Sequence, residues 1–171
     1  RYDIPTSPWR PVGSPQDAVV AYIAMNGKAV FKKRRFGYDG YGTFVVKSES
    51  ELSALSLQMA TPGMIAERFI RFEREIATVA VRDQKGAVFF YPFVETKQKD
   101  ARCLWVNGPV KETKALKTLK TRVSNLLSKE NYVGAIGIEL FDSEEGLMVN
   151  ELAPRVHNTA HYTQNAFHMS Q

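Results

Sequence analysis

The chain has 171 residues and a formal net charge of +5, from 23 lysines and arginines against 18 aspartates and glutamates. With 44% hydrophobic and 24% charged residues it has the balance of one globular domain or two small lobes, not of a disordered or fibrous chain. Its one cysteine, Cys103, excludes an intrachain disulfide and a cysteine-rich zinc site, and no apolar run reaches the roughly 18 residues that read as a membrane span. A cytoplasmic protein with an anionic partner and no membrane contact is the expectation.

Prolines 5, 8 and 11 make residues 1 to 13 read as a linker from a preceding domain. Ser14, Pro15 and Asp17 then supply a capping hydroxyl, a first-turn proline and an acid at the third position, so a helix runs through DAVVAYIAM and stops near Asn26-Gly27. AVFK, 29 to 32, is a strand leading into a glycine-rich segment, and TFVVK, 43 to 47, is the returning strand. Ser48 with Glu51 forms a second capping box, opening ELSALSLQM, which ends at Thr61-Pro62-Gly63. Residues 14 to 63 therefore make a small α+β lobe.

From residue 64 a larger lobe extends to 171, expected to stop short of a C-terminal domain. It opens with the strands MIAERFI, REIATVAVRD and, after a QKG turn, AVFFYPFVET. A loop carrying Cys103 and Gly108-Pro109 leads to a helix at 110 to 130. Its Lys111, Lys114, Lys117 and Lys120 form the solvated face around Leu116, Leu119, Val123, Leu126 and Leu127. AIGIELF and LMVNELA, joined by DSEEG, are the last strands, followed by APRVHNTAHYTQN.

Three places carry chemistry. Gly37, Gly40 and Gly42 follow the basic run KKRR, and a loop without Cβ atoms lets backbone N–H groups approach phosphate oxygens. Lys32 ends the incoming strand within reach of such a ligand. The strand-loop-strand context is not that of a Walker or dinucleotide motif. A plain flexible hairpin, a nucleotide-phosphate flap and a nucleic-acid grip with Phe36, Tyr38 and Tyr41 stacking on bases all fit the residues.

The second place is the hairpin of Glu139 and Glu151. If 142 pairs with 147, position 139 lies opposite roughly 150, and two carboxylates with the Asn150 amide meet on rigid strands. Adjacent carboxylates call for a neutralising cation, and an all-oxygen donor set suits magnesium. Third, Arg155, His157, Asn158 and His161 follow at once, fit for a second anionic substrate or a proton transfer. The preceding proline and Asn158-Thr159 argue against a helix that would align His157 with His161 for zinc.

Together KKRRFGYDGYGT, IAERFIRFEREIATVAVR, VGAIGIELF and VNELAPRVHNTAHYT resemble the ATP-grasp core of the N5-carboxyaminoimidazole ribonucleotide synthetase family, from about residue 4 to the end. GYDGYG and NELAPRVHN are the most specific parts. The resemblance implies an α+β ATP-grasp fold, two lobes with mainly antiparallel sheets enclosing a nucleotide cleft, and a full enzyme of about twice this length that forms a homodimer. It implies ATP and Mg2+, with bicarbonate and 5-aminoimidazole ribonucleotide as substrates in purine synthesis, and no nucleic-acid partner.

By that resemblance Lys32 contacts the ATP phosphates under the loop Gly37, Tyr38, Asp39, Gly40, Tyr41, Gly42 and Thr43. Glu67, Arg68, Phe69 and Ile70 form the strand that reads adenine, and Glu75 holds the ribose hydroxyls. Glu139 and Glu151 bind magnesium, with Asn150 beside them, while Arg155, His157 and Asn158 line the ribonucleotide side. Lys32, Arg155 and His157 take the catalytic roles. Two positions depart from the family: Phe36 stands where it has a second glycine, and Gln98 stands near the nucleotide where histidine is usual. The implied reaction makes carboxyphosphate from ATP and bicarbonate, then carboxylates the ribonucleotide's exocyclic amine; this chain would be a core with little turnover alone. A formate-dependent glycinamide ribonucleotide transformylase and a non-enzymatic basic nucleic-acid module are the alternatives.

Overall fold

The structure, a computed structural model, describes residues 2–37, 40–58, 63–99 and 102–171; for 57, 58 and 102 only the backbone is described. The chain divides into two compact units, Ser7–Ile70 and Arg1–Thr6 with Arg71–Gln171.

The smaller unit is a four-stranded antiparallel sheet with two helices. Its strands are β1 (Trp9–Val12), β2 (Ala29–Lys33), β3 (Thr43–Val46) and β4 (Met64–Arg68), in the order β1-β4-β2-β3. Helix α1 (Pro15–Ala24) starts as its sequence dictates: Ser14 Oγ accepts from the Asp17 N–H at 3.1 Å, and Pro15 fills the first turn. Helix α2 (Glu49–Gln58) carries the expected capping box, with Ser48 Oγ accepting from Glu51 N–H at 3.3 Å. The Glu51 carboxylate reaches one residue further back than the pattern predicts, accepting from Lys47 N–H at 2.6 Å. Alternation along β2 and β4 sends Ala29, Phe31, Met64 and Ala66 into a core with Ala18, Tyr22, Leu52 and Leu55. It leaves Val30, Lys32, Ile65 and Glu67 on the other, half-exposed face.

Two sequence expectations give way here. The supposed linker contains β1, which pairs Trp9 with Glu67 and Val12 with Met64. Prolines misled because β1 is an edge strand, where a missing N–H is tolerated. MIAERFI, in turn, belongs to the smaller unit rather than the larger, since β4 pairs with both β1 and β2. The division falls after Ile70, not after Gly63.

The larger unit is a six-stranded antiparallel sheet. Its strands are β5 (Arg74–Arg82), β6 (Val88–Phe90), β7 (Val94–Lys99), β8 (Arg102–Asn107), β9 (Gly134–Ser143) and β10 (Gly146–Ala153). The order is β10-β9-β5-β7-β8, with β6 beside the far end of β5. AVFFYPFVET, expected as one strand, is two, because Pro92 has no N–H to offer the ladder; Tyr91 N–H still reaches Val79 O at 2.9 Å. Cys103 lies in strand β8 rather than in a loop, pairing with Gln98 across the sheet. Helix α3 (Lys114–Lys129) begins four residues later than expected, capped by Thr113. Leu116, Leu119, Val123 and Leu127 pack it on Ile76, Ile138 and Leu140, which fixes one face of the sheet as core. Lys114 and Lys117 are exposed as predicted, but Lys120 folds over the rings of Phe90 and Phe93 and pairs with Glu112.

Candidate functional site

The face of the larger sheet opposite α3 collects the expected acidic residues. Leu147 pairs with Asp142 as the turn predicts, but Asn150 is the extra residue of a bulge, so Glu151 rather than 150 lies opposite Glu139. The bulge is why three polar residues meet where simple alternation would offer two. Asn150 Nδ2 donates to Glu139 Oε2 at 3.4 Å, and Gln98 Nε2 donates to Glu139 Oε1 at 3.4 Å. Register places Ala77 on the other side of Glu139 and Phe141 beside Glu75, so Glu75 shares this face two residues along the ladder. Its Oε2 accepts from the Gln98 N–H at 3.3 Å.

Burial raises the Glu75 carboxyl above its ordinary range, a rise partly offset by the Gln98 N–H and by Lys97. Burial also pushes the Cys103 thiol up, and the negative charges of Glu139 and Glu75 push it further. A thiol held protonated is a poor nucleophile, and the Cys103 thiol feels the acidic field of this face. Among the described residues no group of three or more histidines, cysteines or acids gathers as a metal cluster. The donor set is the Glu139–Glu151 pair with the Asn150 amide, and oxygen donors of this kind fit magnesium, which keeps several waters and ligand phosphates in its shell.

His157 arrives on this face immediately after β10. Its side chain is 7% exposed, and Nδ1 lies 2.9 Å from Thr159 Oγ1 and 3.9 Å from Glu139 Oε1. The Gln171 side chain brackets its backbone, accepting from His157 N–H at 2.7 Å and donating to His157 O at 2.9 Å. A short 3₁₀ helix, Asn158–Thr163, follows, with His157 before it and His161 exposed on it, so the two rings do not form a zinc pair. Arg155 and Asn158 are exposed, and Arg155 Nη1 donates to Val156 O at 2.9 Å. Gly137 is the residue that sequence reasoning missed. A Cβ there would lie 2.5 Å from His157 Cβ and 2.6 Å from Cγ. The available signal was a glycine inside the otherwise apolar strand VGAIGIELF, which marks a close approach.

In the smaller unit, Lys32 pairs with Ile65 and Val30 with Glu67, putting Lys32 and Glu67 diagonally on one face. Their side chains meet, Lys32 Nζ to Glu67 Oε2, at 2.8 Å. Of the four expected adenine-reading residues, Arg68 has its N–H committed to Pro8 O at 2.9 Å, and its carbonyl accepts from Ser7 Oγ at 2.8 Å. Phe69 N–H donates to Lys28 O at 3.4 Å, and Ile70 is buried. The Arg68 backbone is thus bonded on both sides within this unit.

The loop from β2 to β3 is held by Lys33 N–H to Gly42 O at 2.9 Å and Thr43 N–H to Gly40 O at 3.1 Å. Gly40 and Gly42 have φ of 75° and 88°, as a glycine-dependent loop requires. Phe36, at the position where the resembling family has glycine, has φ of 62° and is 88% exposed. Tyr41 stacks under Lys33 Nζ at 5.0 Å. The expected phosphate-loop residues Tyr38 and Asp39 lie outside the described residues.

A groove of about 490 Å³ lies against α3, lined by Pro5, Lys114, Thr118, Leu119, Arg122 and Leu147 among others, and holds none of these residues. The candidate acidic residues lie on the other face of that sheet.

The model of the ATP-grasp domain family matches residues 1–171. The chain belongs to the ATP-grasp family. Its two antiparallel sheets with a few helices are that fold, matching solved N5-carboxyaminoimidazole ribonucleotide synthetases. The N5-carboxyaminoimidazole ribonucleotide synthase of Synechococcus elongatus is 37% identical over all of this chain and 44% of its own length. The synthetase structure from Thermus thermophilus superposes with a TM-score of 0.86 at 30% identity, over 99% of this chain and 46% of that one. An Aspergillus clavatus synthase structure in complex with ADP and 5-aminoimidazole ribonucleotide gives 0.80 at 25% identity, over 99% and 45%. The chain thus spans less than half the length of these relatives.

Proposed function

We propose that this chain supplies the magnesium-ATP-binding core for ATP- and bicarbonate-dependent carboxylation of 5-aminoimidazole ribonucleotide in purine biosynthesis. The observation that carries the reading is the bulge at Asn150, which sets Glu139 opposite Glu151 with an amide beside them. The relatives' names and the ribonucleotide in the Aspergillus complex support the choice of substrate.

In this reading the γ-phosphoryl group of ATP passes to a bicarbonate oxygen, releasing ADP and leaving carboxyphosphate. The exocyclic amine of the ribonucleotide then attacks the carboxyl carbon, the C–O bond to phosphate breaks, and the amine loses a proton. Glu139 and Glu151 hold magnesium, which when bound neutralises phosphate charge and orients the chain of phosphates. Lys32 exchanges its ion pair with Glu67 for the phosphate oxygens and stabilises charge on the transferring group. Gly37 to Thr43 cover those phosphates, Glu67, Arg68, Phe69 and Ile70, at the end of β4 and just after it, read adenine, and Glu75 accepts from the ribose hydroxyls. Arg155, exposed and permanently charged, takes the anion of the second substrate, with Asn158. His157, packed against Gly137 of β9, orients bicarbonate or accepts the amine proton in this reading.

The test is ADP release by the full enzyme containing this core. Release requires both bicarbonate and 5-aminoimidazole ribonucleotide; equal turnover with formate and glycinamide ribonucleotide would assign the core to the formyl-transferring relative instead.

A further inference from the structure

His157 is a bulky, polar ring buried against the middle strand of a sheet, a position that normally costs stability unless space and a hydrogen bond are both provided. Both are provided, by residues that touch neither the nucleotide nor the metal in the reading above. Gly137 lies on the same face as Glu139, two residues before it, and its missing side chain leaves the slot the ring occupies. Any Cβ there would fall within 3.1 Å of His157 Cβ, Cγ and Cδ2 together, with no flexible end to yield. Thr159, 1% exposed, stands at the other side with its Oγ1 2.9 Å from Nδ1. A histidine's two ring nitrogens act differently according to what each one bonds, and the buried hydroxyl, able to donate to Nδ1 or accept from it, engages that nitrogen in the interior in either tautomer.

We infer that Gly137 and Thr159 are positioning residues for His157: the glycine sets where the ring sits, and the threonine hydroxyl sets which nitrogen is engaged in the interior. The inference deepens the synthetase reading, which supplies only what His157 acts upon. Val at 159 would keep the shape and volume of threonine while removing the hydroxyl, and serine would keep the hydroxyl while removing the methyl. A purely structural role for Thr159 makes Thr159→Val the milder change; the positioning role makes it the more severe one for the ring and Thr159→Ser the rescue.

Three histidines in the chain make this a tractable measurement by imidazole 15N–1H correlation at alkaline pH, with His157→Gln giving the assignment. In the wild-type chain, His157 is expected to show an Nδ1 shift displaced by hydrogen bonding and a nuclear Overhauser contact between its ring Hδ2 and the Gly137 Hα protons. Thr159→Val should move the Nδ1 resonance away from its wild-type shift, Thr159→Ser should restore the wild-type pattern, and Gly137→Ala should abolish the wild-type ring contact pattern. Absence of the wild-type contact to Gly137 overturns the inference whatever the variants do, including if one of them fails to fold. An unchanged His157 pattern in Thr159→Val overturns it equally. The readout does not involve turnover, so it can fail while the carboxylation assay succeeds, or succeed while that assay fails.

Discussion

Two hairpins, one in each unit, carry most of the proposed chemistry, and they are built on opposite plans. The β9–β10 hairpin keeps its ligands on strands, fixed by a full ladder and by a core of Ile138, Leu140 and Val149 behind them. The β2–β3 hairpin puts its glycines in the connection, where φ is positive at Phe36, Gly40 and Gly42 and side chains are largely exposed. The difference suits the proposed tasks. Two carboxylates holding one cation must keep their spacing, which strands enforce, whereas a loop that covers phosphates must present main-chain N–H groups, which requires residues without Cβ atoms. Lys32 is the exception that joins both plans, a charge on a strand, one residue after the fully buried Phe31.

The contrast breaks most visibly at that strand. Phe31→Ala removes a side chain with no exposed area from the small core of one unit. A cost of about 3–5 kcal/mol is expected. Urea unfolding should then show the smaller unit lost ahead of the larger, and a single unshifted transition would show that the units do not differ in this way.

On the rigid hairpin the effect is on binding. Glu139→Gln should weaken magnesium-ATP binding about tenfold or more, on the scale of about 1.5–3 kcal/mol for an interaction with a charged group, and leave metal-free ATP much less affected. Glu151→Gln should follow the same pattern with a smaller loss, because Glu151 is exposed while the Glu139 side chain is 17% exposed and bonded by Gln98 and Asn150. Calorimetric titration with and without magnesium measures both, and wild-type affinity in both variants would remove the paired-carboxylate site.

How much of this could be read beforehand depends on range. Ser14-Pro15-Asp17 and Ser48-Glu51 announce their helices because a cap is written within four residues. The glutamate pair was legible because a five-residue link between two apolar runs nearly fixes register. The bulge at Asn150 was not legible, since alternation counts residues in twos and an inserted one leaves no local mark. Prolines 5, 8 and 11 read as linker because edge-strand tolerance depends on a neighbour, β4, more than 50 residues away. Gly137 is visible within its strand, yet its purpose depends on a histidine 20 positions later, a purely tertiary relation. The departures at Phe36 and Gln98 were visible by resemblance, and the structure adds what each does: Phe36 occupies a glycine conformation, and Gln98 links Glu75 to Glu139.

The β2–β3 hairpin yields a smaller effect of opposite sign. A bulky residue in the left-handed region costs roughly 1–2 kcal/mol relative to glycine, partly returned because glycine loosens the unfolded chain by roughly 0.4–1 kcal/mol. Phe36→Gly is therefore expected to stabilise the smaller unit by up to about 1 kcal/mol, and nothing packed is lost from a side chain that is almost fully exposed. Denaturant titration checks the sign. A loss of stability would mean that the ring, and not the backbone, is what the position needs.

The smallest effect belongs to Glu75, and it has a pH signature. Burial raises its carboxyl in the folded chain, against the weaker opposing pull of the Gln98 N–H and Lys97. A folded-state value above the unfolded one means that the folded chain prefers the proton. Below the ordinary carboxylate range both states hold it and Glu75 costs nothing; as pH rises through and past that range, ionising the half-buried group becomes a growing penalty on folding. Glu75→Gln keeps the shape, removes the charge, and should stabilise the chain slightly at neutral pH while leaving stability at low acid pH unchanged. The gain is small because the side chain is still partly solvated. Thermal unfolding of wild type and variant across the acid range measures it: the two curves should converge as pH falls. If wild type is instead the more stable at neutrality, with that advantage vanishing as pH falls, the Gln98 N–H and Lys97 outweigh burial, and Glu75 is a stabilising anion.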